Sequence, residues 1–249
     1  MDEYILIFII FGFIAQMIDG ALGMGYGVSS ASLLLSLGIP PSVTSACVHI
    51  SEIFTTAVSG VFHFKLGNVD RKVFLRILIP GVIGGVLGAY ILCELPGDRI
   101  KPFVAVYLLI MGLLILIKVF RKVKDKESRV RLVPLGFAGG FFDAIGGGGW
   151  GPIVTATLVA KGNNPRFAIG TVNSAEFFVT VAESVIFFAT IGALLMHHWE
   201  KILGLMFGGI LAAPLAAYVC KKIPTRALML SVSLLIIGLS LRILYLSWL

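Results

Sequence analysis

Apolar runs dominate this sequence, and most are long enough to cross a lipid bilayer, for which a helix needs about 20 apolar residues. Because 58% of the 249 residues are hydrophobic and only 13% are charged, we exclude a soluble globular domain and predict an all-α integral membrane protein. The apolar runs cover roughly residues 4–37, 43–64, 73–93, 102–120, 132–160, 167–191, 202–220 and 227–246.

The sequence repeats itself at an offset of 124 residues. Without a gap, the offset aligns Gly12 with Gly136, Asp19 with Asp143, Gly23, Gly25 and Gly27 with Gly147, Gly149 and Gly151, and Glu52 with Glu176. We therefore predict two transmembrane repeats, residues 1–127 and 128–249, that form one integrated membrane domain.

The first apolar run of each repeat is too long for a single span. As one helix, residues 4–37 would measure about 50 Å, whereas the hydrocarbon core is about 30 Å thick. We expect the breaks in the glycine-rich segments DGALGMGYG (19–27) and DAIGGGGWG (143–151). Each repeat is thus predicted to contain a broken or re-entrant helix pair followed by three transmembrane helices.

The distribution of Lys and Arg predicts the orientation in the membrane. With re-entrant pairs and the N-terminus outside, 16 of the 20 basic residues fall in inside loops, at 65–76, 118–131, 161–166 and 221–226. Treating each first run as an ordinary span gives a weaker asymmetry. We expect a multi-pass protein of the plasma membrane with a cytoplasmic loop at 118–131 and two repeats of inverted topology, a design typical of secondary transporters.

The glycine-rich breaks are candidates for binding an anion. A helix that restarts inside the membrane presents unpaired N–H groups and the positive end of its dipole, and glycine lets a ligand approach the backbone. The alternative is that these glycines only permit close helix packing. The candidate substrate-binding glycines are Gly23, Gly25, Gly27, Gly147, Gly148 and Gly149.

Ionisable side chains occur in the predicted spans, where they are costly and point to function. Asp19 and Asp143 begin the breaks, where each is either an N-cap for the next half-helix or a proton carrier. His49 and Glu52 belong to a polar stripe on one face of the second span, and Glu176 belongs to the equivalent stripe, which also contains Asn173, Thr180 and Glu183. We assign proton coupling to Asp19, His49, Glu52, Asp143 and Glu176.

The spans contain no evident Lys or Arg to neutralise these carboxylates, so Glu52 and Glu176 are expected to change protonation with conformation. His49 lies one turn from Glu52 and either shares its proton or is a satisfied polar core residue.

Two motifs of the second repeat resemble a known family. The segment GFAGGFFDAIGGGGWGP (136–152), followed by Gly162, Pro165 and GTVNSAEF (170–177), is similar to the TauE/SafE family of membrane transporters. The resemblance implies export of sulfite and sulfonated organic anions, and paired glycine-rich segments near the start of each repeat, here Gly23, Gly25 and Gly27 and residues 146–149. Asn173 and Ser174, inside the second motif, join the candidate substrate-binding residues. The first repeat departs from the family pattern by reading GMGYG.

These observations predict a secondary active transporter that exports a small oxyanion, such as sulfite or a short organosulfonate, by proton-coupled alternating access. The alternative is a proton-coupled transporter of cations or divalent metals that uses the intramembrane Asp, Glu and His residues. We expect no enzyme, since no HExxH, nucleophile elbow or Walker loop occurs. We also expect no cofactor, no resident metal and no nucleic-acid partner. The oligomeric state stays open, with a homodimer as one alternative.

Overall fold

Helices make up nearly all of the described chain in a computed structural model, which covers residues 3–120, 130–219 and 225–247. No strand occurs within these ranges, which confirms the predicted all-α class. The first part of α7 is π-helical, and a short 3-10 turn joins α8 to α9. The helices are α1 (Glu3–Leu22), α2 (Tyr26–Ser36), α3 (Pro41–Lys65), α4 (Arg71–Glu94), α5 (Gly97–Phe120), α6 (Leu132–Gly146), α7 (Gly151–Ala160), α8 (Pro165–Leu195), α9 (Trp199–Val219) and α10 (Thr225–Ser247).

Several helices have the length and apolar composition needed to cross a membrane, as expected of a multi-pass protein. One of these ranges runs from α8 through the 3-10 turn into α9, whereas α1, α6 and α7 contribute shorter apolar segments. Within the described residues the spanning ranges are Pro41–Lys65, Arg71–Glu94, Gly97–Phe120, Pro165–Ala213 and Met229–Leu246.

Both overlong apolar runs are interrupted at the predicted glycine-rich segments. Gly23 and Gly25 separate α1 from α2 with φ angles of 62° and 126°. Gly147 and Gly148 separate α6 from α7 with φ angles of 69° and 145°. Residues with a Cβ rarely adopt such positive φ angles, so glycine determines where each helix breaks. The breaks are confirmed, whereas re-entry of each pair to its side of origin stays a prediction.

The two halves of the chain are interlocked, because most helices pack chiefly against a helix of the other half. α1 packs against α9, α6 against α4, α3 against α8, and α5 against α10. Contacts join His49 to Glu183 and Ser59 to Asn173, so the equivalent helices α3 and α8 run antiparallel. Inverted repeats require this arrangement, while their inversion across the membrane and the boundary at 127/128 stay predictions.

Part of the predicted cytoplasmic loop 118–131 is helical. Lys118 lies in the last turn of α5, which continues to Phe120. The helix extends this far because Ile115 and Val119 continue its buried face. Residues 121–129 of the predicted loop lie outside the described residues, as do residues 221–224 of the loop at 221–226 and residues 1–2 at the N-terminus.

Polar and apolar side chains are distributed as in a membrane protein. Phe103 and Phe120 are 71% and 78% exposed, whereas His49 and Glu183 are 0% exposed. Apolar side chains facing outward suit lipid, and ionisable groups in a span belong in the protein interior. The polar stripes predicted on α3 and α8 therefore face each other inside the bundle.

Glycines let the paired helices touch backbone to backbone. A Cβ built on Gly84 of α4 would lie 2.2 Å from the carbonyl oxygen of Phe137 on α6. A Cβ on Gly208 of α9 would lie 2.0 Å from the carbonyl oxygen of Ile9 on α1. Neither distance is sterically permitted, so a side chain at either position would force the helices apart.

We predict that Gly84→Ala destabilises the fold by about 1–3 kcal/mol, the usual cost of overpacking a tight contact. Gly238→Ala is the matched control, because it also lies within a helix and a Cβ there meets nothing within 4 Å. Thermal unfolding of the two purified variants in detergent measures the difference. Equal melting temperatures for both variants would contradict the close approach of α4 and α6.

Candidate functional site

The two helix breaks lie directly against each other in the interior. A Cβ on Gly27 would lie 2.6 Å from the Cα of Gly148, and one on Gly148 would lie 2.2 Å from the carbonyl carbon of Gly27. Only glycine permits this contact. The starts of α2 and α7, one from each repeat, therefore converge on one point.

Asp19 and Asp143 each reach across the break that follows them. The Oδ1 atom of Asp143 accepts hydrogen bonds from the backbone N–H of Gly149 at 2.5 Å and of Trp150 at 2.9 Å. In the first repeat, Asp19 Oδ1 accepts from the N–H of Tyr26 at the longer distance of 3.4 Å. Both carboxylates thus pair N–H groups that the break leaves free. The capping alternative from the sequence holds most clearly for Asp143.

A small polar cavity lies where the breaks meet. The space open to the centre of a water molecule is about 10 Å³, which is room for about one water. In this conformation the cavity is too small for sulfite or a sulfonate. The predicted site residues that line it are Asp19, Gly25, Gly27, Glu52, Asp143, Gly148, Gly149 and Glu176.

The other predicted site residues lie outside this lining. Gly23 and Gly147 sit at the breaks but pack against Ile169 and Ala31. Asn173 Nδ2 donates to Ser59 Oγ at 3.0 Å, at the crossing of α3 and α8. Ser174 Oγ donates to the carbonyl of Gly170 in its own helix. Substrate binding by these four residues stays a prediction.

His49 points toward α6 and α8 rather than toward Glu52. Its Nε2 atom is 2.9 Å from Glu183 Oε2 and 3.5 Å from Asp143 Oδ2. Proton sharing between His49 and Glu52 stays a prediction, since the carboxylates in contact with Nε2 are those of Glu183 and Asp143. The periodicity had placed His49 and Glu52 on one helix face, but the direction of a side chain depends on its rotamer and on the neighbouring helices.

Two functional candidates were missed from the sequence. Glu183 belongs to the predicted polar stripe of α8, so the signal was present, but it had no apparent partner. Tyr107 of α5 lies over the second break, where its hydroxyl donates to the carbonyl of Gly148 at 3.2 Å. A Cβ on Gly149 would collide with that hydroxyl. No sequence pattern had linked α5 to the break.

Lys118 supplies a cation near the cavity, contrary to the expectation that the spans contain none. Its ammonium lies 3.5 Å from the carbonyl oxygen of Pro152 and 3.9 Å from the sulfur of Met24. Both contacted residues line the cavity. The sequence had assigned Lys118 to a loop because it begins a basic cluster. The long side chain reaches back along α5 from the end of the helix.

Broken helices that meet around buried carboxylates in an apolar bundle are the architecture of a membrane transporter. Residues 8–243 match the family model described as "Sulfite exporter TauE/SafE". The chain belongs to this family of membrane transporters.

Curated relatives agree with this assignment. The chain is 43% identical over 257 residues to the probable membrane transporter protein YtnM of Bacillus subtilis (strain 168), covering 98% of this chain and 84% of the relative. It is 28% identical to the probable membrane transporter protein YdhB of the same strain, covering 66% of this chain and 67% of the relative. No solved structure matches the chain significantly.

A shorter match links the chain to a plant protein. It is 39% identical over 67 residues to "Sulfite exporter TauE/SafE family protein 6" of Arabidopsis thaliana, covering 27% of this chain and 16% of the relative. This match supports the family and leaves most of the plant protein uncovered.

We predict that Asp143→Ala destabilises the fold more than Asp19→Ala does. Asp143 accepts two short backbone hydrogen bonds, whereas Asp19 accepts one long bond, and leaving buried N–H groups unpaired costs about 1–3 kcal/mol. Thermal unfolding of the two variants side by side is the measurement. An equal or smaller loss for Asp143→Ala would show that the cap at the second break contributes little.

Proposed function

We propose that this protein is a secondary active transporter that exports a small oxyanion, such as sulfite or a short organosulfonate, coupled to protons. The observation that carries the proposal is the contact of two helix breaks, Gly27 against Gly148, beside a carboxylate-lined cavity. The family description supports a sulfite-like substrate. In this proposal the partners are the anion, protons and the lipid bilayer, the location is the plasma membrane, and no enzymatic activity is involved.

The backbone at the second break already binds an oxyanion group of the protein itself. A carboxylate oxygen of Asp143 accepts from the N–H groups of Gly149 and Trp150. A sulfite or sulfonate oxygen presents the same charge and acceptor geometry to these donors. We therefore assign substrate binding to this break, with the substrate displacing the carboxylate of Asp143.

Proton coupling follows from the charge of the cavity. Asp19, Glu52, Asp143 and Glu176 all line it. Four ionised carboxylates would repel an anion strongly in a medium of low dielectric constant. Protonation of some of them is therefore needed before the anion enters, and in this mechanism a proton gradient drives substrate movement.

Alternating access is the mechanism that fits a closed cavity. The present conformation leaves space for about one water molecule at the centre. Anion binding therefore requires the breaks to separate on one side at a time. In the proposed cycle the two repeats, related by internal duplication, open alternately toward the two faces of the membrane.

The expected result in proteoliposomes is sulfite flux that increases when a pH gradient makes the side from which sulfite leaves the more acidic one, because the cavity must be protonated before the anion enters. Glu52→Gln and Glu176→Gln, tested separately, should bring the ratio of flux with and without the gradient toward one, because glutamine cannot exchange a proton. Gly238→Ala is the control, since it leaves the cavity untouched. Flux that does not depend on the gradient in the unmodified protein would remove the coupling from the proposal.

A second candidate function is transport of a divalent cation. His49, Asp143 and Glu183 each offer a ligand atom, and these atoms all lie within 4.8 Å of one another. A nitrogen with two carboxylate oxygens is a ligand set that transition metals accept.

Ligand-dependent thermal stabilisation separates the two functions, since a ligand stabilises the state that it binds. We expect the melting temperature to rise with millimolar sulfite and to stay unchanged with Mn²⁺ or Zn²⁺. Stabilisation by a metal but not by sulfite would favour cation transport and contradict the oxyanion proposal.

A further inference from the structure

The crossing of α3 and α8 contains two side-chain pairs that the internal repeat relates to each other. One pair is His49 and Glu183, whose Nε2 and Oε2 atoms are 2.9 Å apart. The other is Asn173 and Ser59, joined by a hydrogen bond of 3.0 Å. The offset of 124 residues aligns His49 with Asn173 and Ser59 with Glu183. The same crossing therefore exists twice, once with ionisable groups and once with neutral ones.

The surroundings of His49 require a proton within the ionisable pair. The Nδ1 atom lies 2.7 Å from the backbone carbonyl oxygen of Ser45 and 3.2 Å from its Oγ. Because that hydroxyl donates to the carbonyl of Ala144 and a carbonyl only accepts, we assign a hydrogen to Nδ1. An uncharged ring would then present the lone pair of Nε2 to Glu183 and Asp143. Two carboxylates facing a lone pair at 2.9 Å and 3.5 Å repel it, so at least one proton is held between these three groups.

The pair is enclosed, so its proton cannot exchange with bulk water in this conformation. His49 and Glu183 are both fully buried. The ring of Phe187 lies 5.9 Å from that of His49, and a Cβ on Gly85 would lie 2.4 Å from Glu183 Oε1. No other described group donates a hydrogen bond to the carboxylate oxygens of Glu183.

The titratable groups next to the pair are carboxylic acids. The carboxylate of Asp143 is the nearest of them and joins the pair to the cavity. One of its oxygens faces His49, and the other accepts from the N–H groups of the second break. Among the described residues, those that interact electrostatically with the pair are Asp143 on α6, Glu52 on α3 and Glu176 on α8. Asp19 on α1, Tyr26 on α2 and Tyr107 on α5 interact with these carboxylates, and the ammonium of Lys118 on α5 lies at the cavity wall.

We infer that His49 and Glu183 hold a coupling proton of the transporter, in addition to the protons carried by the cavity carboxylates Glu52 and Glu176, and that the Ser59–Asn173 crossing is its proton-independent counterpart. This inference rests on the proposed function and deepens it by naming the coupling pair and adding Glu183 to it. In each cycle the pair takes up one proton when α3 and α8 separate toward one side of the membrane. It releases that proton when they separate toward the other, and so returns to its starting charge.

Asp143 connects the proton to the substrate. When an anion takes the N–H groups of Gly149 and Trp150, the displaced carboxylate of Asp143 remains beside His49. The bound anion then adds a second negative charge to that of Asp143 near His49, and this favours a protonated imidazole. Binding of the anion and of the proton therefore assist each other, which is the condition for moving both in one cycle.

Nitrogen NMR of the imidazole tests the inference without any transport measurement. The chain has four histidines, so replacing His63, His197 and His198 by Gln leaves His49 as the only one. With Glu183 present, Nε2 is expected to carry a proton at neutral pH. With Glu183→Gln, Nε2 should move to the resonance position of an unprotonated ring nitrogen. An unprotonated Nε2 in the parent, or an unchanged resonance in the variant, would overturn the inference.

Ser59→Ala serves as the matched control in this experiment. Ser59 occupies the position equivalent to Glu183, at the neutral crossing, and its replacement should leave the Nε2 resonance of His49 where it was. A shift as large as that of Glu183→Gln would mean that the resonance reports general loosening of α3 against α8, and would overturn the assignment.

Flux measurements in proteoliposomes form the second arm. The ratio of sulfite flux with and without a pH gradient should fall toward one in Glu183→Gln and stay at the parental value in Ser59→Ala. A Glu183→Gln variant with the parental ratio would overturn the inference while leaving proton-coupled transport intact. Absence of sulfite flux from the unmodified protein, together with the expected NMR result, would refute the proposed substrate and still support the proton-binding pair.

Discussion

Unpaired backbone groups are the constraint on which this structure depends. Each helix break leaves N–H and C=O groups without partners inside an apolar bundle, where every unsatisfied group is costly. The chain meets this cost by turning a carboxylate of each repeat back onto the N–H groups that follow and by pairing the carbonyl of Gly148 with the hydroxyl of Tyr107. The same arrangement makes the centre of the bundle polar, and it is there that the proposed oxyanion would bind.

Internal duplication builds two similar breaks, but they are not equal. Asp143 binds its N–H groups closely, whereas Asp19 binds Tyr26 at 3.4 Å. The sequences differ in the same direction, because the second repeat has four consecutive glycines where the first has GMGYG. The first break keeps a methionine side chain in the cavity wall, and Lys118 contacts it. In the proposed cycle the substrate would therefore meet two chemically different halves.

Much of this fold follows from the sequence, because its strongest signals are lengths and repeats. A run of 34 residues cannot cross a 30 Å core as one straight helix, so residues 4–37 had to break, and glycine identified the place. The internal repeat then located the second break. Glu52 on α3 and Glu176 on α8 both line the cavity, as the polar stripe predicted on each of these helices suggested.

The rest depends on distances between helices that no local pattern contains. Glu183 is in the same polar stripe as Glu176, but only the crossing of α3 over α8 brings it to His49. Lys118 resembled the start of a basic loop, although its flexible side chain extends to Pro152. Tyr107 is one aromatic residue in an apolar helix, and its role appears only where α5 passes the second break.

The size of the central cavity bears on how the membrane stays electrically tight. A proton or small ion crosses a protein passively along a continuous file of water, and a space that admits about one molecule interrupts that file. The backbones of Gly27 and Gly148, which are in direct contact, close the centre of the bundle in this conformation. In the proposed transport cycle, this closed conformation would therefore separate the two faces of the membrane between turnovers.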